Sequence, residues 1–213
     1  MENKRRMYIL ALDPAQLHDW SALAALQVDQ DLNFTNPPHY RLVNLERRQS
    51  LPYDKIVAWA IKAFQVSAFQ KNGNLITEEP AFVLDSTGVG VALTDMIRAV
   101  GVRPKACTIT AGNSFTAERS YYHVGKARLI GKFLAAFDSG RVLLNPNLPI
   151  FPLLQQELLN YRAEISSQGA AKFEAAPGAH DDMVFALALA VWWGEEKYNR
   201  FRSVEVEEMI WSG

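Results

Sequence analysis

The residues best suited to chemistry in this chain are aspartates at three places. Asp13 and Asp85 each end a short apolar run and lead into a turn: Tyr8-Ile9-Leu10-Ala11-Leu12-Asp13 before Pro14, and Ala81-Phe82-Val83-Leu84-Asp85 before Ser86 to Gly90. The third place is the pair Asp181-Asp182, which opens an apolar segment from Met183 to Trp193. In α/β sheets, ligands bind outside the carboxyl ends of strands. Asp13 and Asp85 become neighbours if their strands pair in parallel. Acids brought to one point from such different elements repel one another at low dielectric, and divalent cations resolve the repulsion. Two such ions ~3.5–4 Å apart, bridged by carboxylates, activate a water and stabilise a leaving oxygen in phosphodiester cleavage.

Each acid also has a plain structural use. Asp13 before Pro14 suits a turn, Asp85 can accept the amides of the Ser86–Gly90 turn, and Asp181 or Asp182 can cap the helix that follows.

The elements that must position these acids follow from the pattern of the chain. Pro14 pushes Asp13 away from helical geometry, to the end of an extended strand. Trp20 to Val28 reads as a second strand, Asp29 to Pro38 as a polar loop, and the alternating Tyr40 to Glu46 as a third strand. Connections this short favour an antiparallel meander. Pro52 opens a helix with Ile56, Val57, Ala60, Ile61 and Phe64 on one face. A polar loop, Lys71 to Glu79, precedes the Asp85 strand, whose uniformly apolar character suits burial on both faces. A helix from Leu93 to Val100 stops at Gly101, and Ala106 to Thr110 is a fifth strand. Two more helices carry Ile130, Phe133, Leu134 and Phe137, then Leu154, Leu158 and Tyr161, with irregular Arg141 to Pro149 between them. Gln168 to Phe173 reads as a β excursion, and Gln168 to Ala179 as a candidate lid. The helix from Met183 to Trp193 is apolar nearly all round and should be buried. The segment from Glu195 is charged and expected to be peripheral. The expected architecture is a mixed five-stranded α/β sheet with a three-strand meander and helices on both faces, in one domain over 1–213 with its core at 7–194.

Composition bounds the rest. The 213 residues are 49% hydrophobic and 21% charged, ordinary for a folded chain with a substantial core. The single cysteine, Cys107, excludes an intrachain disulfide framework and a multi-cysteine zinc site, and suits a reducing, cytoplasmic compartment. No apolar run approaches the ~20 residues that span a bilayer. The net charge of −1 does not advertise a nucleic-acid binder, so any DNA grip requires basic residues clustered on one face or a larger assembly. No zinc-protease pair, nucleophile-elbow serine or Rossmann glycine triplet is present.

The chain resembles the nuclease domain of phage large terminases, in the RNase H-like superfamily. The resemblance rests on Tyr8 to Asp13, Asp19-Trp20-Ser21-Ala22, Phe82-Val83-Leu84-Asp85-Ser86-Thr87-Gly88-Val89-Gly90, and His180-Asp181-Asp182-Met183 to Ala190. The paired Asp before an Ala/Leu-rich helix is the most specific of these motifs. The resemblance implies an RNase H-like fold and a metal-dependent endonuclease that cuts concatemeric double-stranded viral DNA during genome packaging. It implies catalytic roles for Asp13, Asp85 and Asp182. It also implies two Mg²⁺ or Mn²⁺ ions held by Asp13, Asp85, Asp181 and Asp182, with Asp182 the main ligand of the pair. The implied partners are double-stranded DNA, a terminase ATPase motor, a small terminase and a portal, in the host cytoplasm. The sequence departs from a complete large terminase in lacking a phosphate-binding loop, since Gly88 and Gly90 lack the Gly-Lys-Ser/Thr ending. ATP hydrolysis is therefore not expected of it.

Arg119, Lys126 and Arg128 are candidate contacts to DNA phosphates, with Lys132 beside them and Arg47-Arg48 in a loop as another. Asp19 could stand behind the acidic cluster, and His180 could orient a water or touch a phosphate. Trp59, Trp192 and Trp193 lie on apolar helices and read as core. Two other functions fit the same pattern: a Holliday-junction or structure-selective nuclease, and a catalytically silent docking or DNA-binding module. An actin-like ATPase would need phosphate loops that are absent here.

Overall fold

The computed structural model describes residues 4–15, 19–31, 35–68, 76–165, 171–175 and 180–211. The apolar run that ends at Asp13 is the second half of a longer strand, β1 (Lys4–Asp13). It is followed by β2 (Trp20–Asp31), β3 (His39–Gln49), α1 (Tyr53–Ala68), β4 (Ile76–Thr77), β5 (Ala81–Asp85) and α2 (Gly90–Ala99). Then come β6 (Lys105–Thr110), β7 (Phe115–Glu118), β8 (Tyr121–Gly125), α3 (Lys126–Asp138), β9 (Val142–Leu143) and α4 (Phe151–Asn160). The hairpin β10 (Tyr161–Ile165) and β11 (Ala171–Ala175) precedes the long helix α5 (Asp182–Trp211).

Among the described residues, one mixed sheet runs in the order β7-β8-β6-β5-β1-β2-β3-β9, with β4 also paired to β1. β1, β2 and β3 form the expected antiparallel meander. β1, β5, β6 and β8 are mutually parallel neighbours, so their carboxyl ends share one edge of the sheet. Side chains alternate across it. Leu10, Leu12, Phe82 and Leu84 pack against Ile56, Ala60, Leu93 and Ile97 of α1 and α2. Ile9, Ala11 and Val83 face α3 and α5 on the other side. Helices therefore cover both faces.

Every residue of α5 from Met183 to Trp193 is buried, because the helix lies on the sheet between α3 and α4. Gly194 permits this closeness. A Cβ there would stand 2.5 Å from the Tyr40 ring, and the Tyr40 hydroxyl donates to Glu195 Oε1 at 2.8 Å.

The sheet is larger than the five strands expected. The β7–β8 hairpin was missed because Phe115 to Glu118 is mostly exposed and lacks an apolar alternation. The two-residue strands β4 and β9 lie in segments read as a polar loop and as irregular chain. α5 does not end near Trp193. It continues to Trp211, and Glu196 and Tyr198 are buried in the stretch expected to be peripheral. Tyr161 starts β10 rather than sharing a helix with Leu154. Arg47 and Arg48 lie within β3, not in a loop. The β excursion appears as β11, displaced to Ala171–Ala175. Most of the candidate lid, at 168–170 and 176–179, lies outside the described residues, as do 71–75 of the polar loop before β5.

Candidate metal centre

The parallel register sets Leu12 of β1 beside Leu84 of β5, so the next residues, Asp13 and Asp85, leave the sheet side by side. The turn after Asp85 is held by three hydrogen bonds. Thr87 N donates to Asp85 Oδ1 at 2.7 Å, Ile109 N donates to Thr87 Oγ1 at 2.8 Å, and Ser86 N donates to the Cys107 carbonyl at 2.8 Å. α2 then starts so close to the strand that only glycine fits at its first position. A Cβ on Gly90 would lie 1.9 Å from the Asp85 carbonyl oxygen. On the β1 side, the Ser21 hydroxyl accepts the amide of Ala15 at 3.0 Å.

Asp181 and Asp182 reach the same place from the amino end of α5. The Asp181 carbonyl accepts the Phe185 amide at 2.7 Å, so Asp181 stands at the cap position. Its side chain does not do the capping. Glu157 of α4 does, through Oε2, which accepts Met183 N at 3.0 Å and Val184 N at 3.2 Å. The other oxygen of Glu157 binds Arg47 Nη1 at 2.7 Å, and the Arg47 guanidinium stacks 4.2 Å over the Trp20 ring. With two of the orphan amides at the helix start met by Glu157, the Asp182 carboxylate is left only its own backbone amide as a local donor. Arg47 Nη1 lies 3.9 Å from Asp182 Oδ2, and His180 Nδ1 lies 3.7 Å from it. Neither is a hydrogen bond, and Asp182 Oδ2 is buried with no hydrogen-bond partner.

The electrostatics link the four acids. Burial first, and then the charges of Asp85, Asp182 and Asp181, push the Asp13 carboxyl well above the ordinary value of 3.8, with Lys126 opposing. Burial raises Asp85, against the hydrogen bonds from Thr87 and the charge of Lys126. Burial also raises Asp182, helped by Asp181 and opposed by His180 and Arg47. Burial likewise raises Glu157. Lys126, the first residue of α3, lies 4.0 Å from Asp181 Oδ2 and is the cation that faces Asp13 and Asp85.

Whether these residues suit a metal can be judged from their donors. They offer hard carboxylate oxygens, the type that Mg²⁺ and Mn²⁺ take. One oxygen, Asp182 Oδ2, is buried and unbonded, a state that costs free energy unless a cation or donor meets it. Among the described residues, no three His, Cys, Asp or Glu side chains are gathered tightly enough to enclose an ion as they stand. The donor set fits a divalent cation in kind.

The remaining candidates are divided. Asp13, Asp85, Asp181, Asp182, Lys126 and His180 come together. Arg128 and Lys132 do not join them, because both bind Glu196 Oε1, at 3.0 and 2.8 Å. Arg119 sits in the β7–β8 turn, at the opposite edge of the sheet. Arg48 pairs with Glu46 and stacks on Trp59. Asp19 is exposed, and its carbonyl accepts the Ser50 amide at 3.4 Å. Trp59, Trp192 and Trp193 are core residues. Sequence reasoning missed Glu157. Its one signal was an acid three residues after Leu154, on the face that the helix buries.

No protein-family model matches the chain, and no curated protein matches its sequence. Solved structures do match its fold. The large terminase nuclease from thermophilic phage G20c gives a TM-score of 0.57 at 22% identity, over 87% of this chain and 81% of that one. That nuclease has also been solved with bound magnesium and with bound cobalt. The Thermus phage P74-26 large terminase nuclease domain gives 0.54 at 21% identity, over 87% of this chain and 78% of that one. The human cytomegalovirus terminase nuclease domain, manganese-soaked and inhibitor-bound, gives 0.55 at 16% identity, over 92% of this chain and 86% of that one. The chain has the RNase H-like fold of these nuclease domains.

Proposed function

We propose that this protein is a metal-dependent endonuclease that cleaves double-stranded DNA, the packaging nuclease of a viral large terminase. One observation carries the reading. Asp13 and Asp85 at neighbouring strand ends share an electrostatic environment with Asp181 and Asp182 at the start of α5, and Glu157 caps that helix while Asp182 Oδ2 stays buried and unbonded. The shared fold with terminase nuclease domains, some solved with magnesium, cobalt or manganese, supports it.

In this account Asp13, Asp85 and Asp182, with Asp181, hold two divalent cations, Mg²⁺ or Mn²⁺. Such ions, when bound, supply an activated water and stabilise the departing 3′ oxygen. The protein's own residues do the rest. Asp13 and Asp85 are fixed by parallel strand ends, and Thr87 N orients the Asp85 carboxylate. Glu157 and Arg47 fix the helix end that carries Asp182. Lys126 stands where it offsets the charge of the acids and can meet a DNA phosphate. No side-chain nucleophile is required. DNA, a packaging motor, a small terminase and a portal are the proposed partners, with the host cytoplasm as the place of action.

The test is the chemistry of the ends. A linear duplex incubated with the chain and Mn²⁺ should yield 3′-hydroxyl and 5′-phosphate termini, with no product in EDTA. Cleavage that persists in EDTA, or that leaves 3′-phosphate ends, overturns the assignment.

A further inference from the structure

The sheet edge opposite the acids carries a cleft lined by Arg98, Arg103, Arg119, Gly101, Ser120 and Tyr121. Its three arginines share one property with exposed Arg41 and with none of the six that follow. Arg5, Arg6, Arg47, Arg48, Arg128 and Arg141 each pair with a carboxylate. Arg98, Arg103 and Arg119 have no carboxylate partner among the described residues, and Asp95 and Glu118, on neighbouring positions, pair with none of them. Arg98 lies 4.3 Å over the Tyr121 ring and donates to its hydroxyl, which fixes one guanidinium in the cleft wall. Arg119 holds φ +53° in the β7–β8 turn, a conformation that glycine or asparagine adopts at less cost. A strained arginine at a turn tip is a reason to look for a ligand.

We propose that this cleft binds the phosphate backbone of duplex DNA, as a grip remote from the acids; the identity of the occupant rests on the nuclease reading above. Planar guanidinium groups suit phosphate oxygens, and such contacts position a duplex without reading its sequence. The charge balance favours DNA. The chain as a whole is close to neutral, at −1, yet these unpaired cations share one place on its surface. β6, with six residues at ~3.3 Å each, separates the two edges by roughly 20 Å.

The test compares the full chain with the double variant Arg103→Gln, Arg119→Gly. Glycine relaxes the strained φ, so weaker binding cannot come from a damaged turn. A fluorescent duplex of about 30 base pairs is titrated in EDTA, from about 50 to 200 mM salt. The variant should bind about tenfold or more weakly, and the slope of log affinity against log salt should fall by about 2, near 0.9 for each lost phosphate contact. Unchanged affinity and slope overturn the proposal. So does unchanged DNA binding beside lost binding of a polyglutamate peptide, which would give the cleft to an acidic protein. Plasmid cleavage in Mn²⁺ is read on the same preparations. Cleavage with an unaltered salt slope removes the cleft alone. Absent cleavage removes the nuclease reading, and the titration still judges the cleft.

Discussion

Glu157, on α4, accepts the backbone amide of Met183, on α5, at 3.0 Å. The two residues are 26 positions apart, and the helix is capped by a side chain it does not own. The second oxygen of the same carboxylate binds Arg47, so α4, α5 and β3 are joined at the point where Asp182 leaves the helix.

Replacing Glu157 by alanine should therefore cost more than a cap. Loss of the cap alone costs about 0.5–2 kcal/mol. Arg47, whose side chain is 11% exposed, would also lose its nearer ion-pair partner and keep only Asp182 at 3.9 Å, so the added cost falls below the about 3–5 kcal/mol of a fully stranded buried charge. Urea unfolding should show a loss of at least 2 kcal/mol, by these same estimates. A change within about 0.5 kcal/mol would place Glu157 among ordinary surface residues.

Gly90→Ala should disturb the site directly. Its new Cβ would fall 1.9 Å from the Asp85 carbonyl, so either β5 or α2 must move. Overpacking of this kind costs about 1–3 kcal/mol, and Asp85 should lose its alignment. Both the melting temperature and the cleavage rate should fall. An alanine variant with normal values of both would show that the strand end tolerates a shift.

The metal-free protein should lose stability as pH rises through the site's titration. Asp13, Asp85 and Asp182 are all raised above 3.8 in the folded chain. The folded state then holds more protons than the unfolded state, and stability falls with rising pH. The contribution of these groups is complete below about 3.8 and is lost as pH climbs through their raised folded values. Melting in EDTA from pH 4 upward, compared with Asp13→Asn, isolates it. The difference between the two proteins should shift steadily against the wild type as pH rises, and a flat difference would contradict the burial of Asp13.

Divalent cations should reverse that penalty. A ligand at 100 times its dissociation constant adds about 2.7 kcal/mol of stability. Mn²⁺ should raise the melting temperature of the chain several degrees at neutral pH, and Asp13→Asn should abolish most of the rise. An equal rise in both proteins would place the ion elsewhere.

Asp13 and Asp85 were legible in the sequence because local chemistry announces them: an apolar strand, an acid, then Pro14 or Thr87-Gly88 to turn the chain. The meander and α1 were legible for the same reason, since their patterns follow the strand and helix periods. Glu157 was not, because it acts across a tertiary contact and its own helix gives no sign of the amides it meets. Arg128 and Arg119 looked alike as basic residues near one helix. Only the fold sends the first to buried Glu196 and the second to the opposite edge of the sheet. The β7–β8 hairpin was hidden because most of its side chains are exposed and only Tyr122, Val124 and Gly125 of β8 are buried. Charge hid the continuation of α5, where Glu195 is paired with Arg141 and Glu196 with Arg128.

The most direct test of the central claim is cleavage of supercoiled plasmid by the purified chain in Mn²⁺, Mg²⁺ or EDTA, beside an Asp85→Ala variant shown to melt as the wild type does. The account predicts nicking and linearisation with a divalent cation, none in EDTA, and a loss of at least about a hundredfold in the variant. Cleavage by Asp85→Ala at a rate near that of the wild type would contradict it.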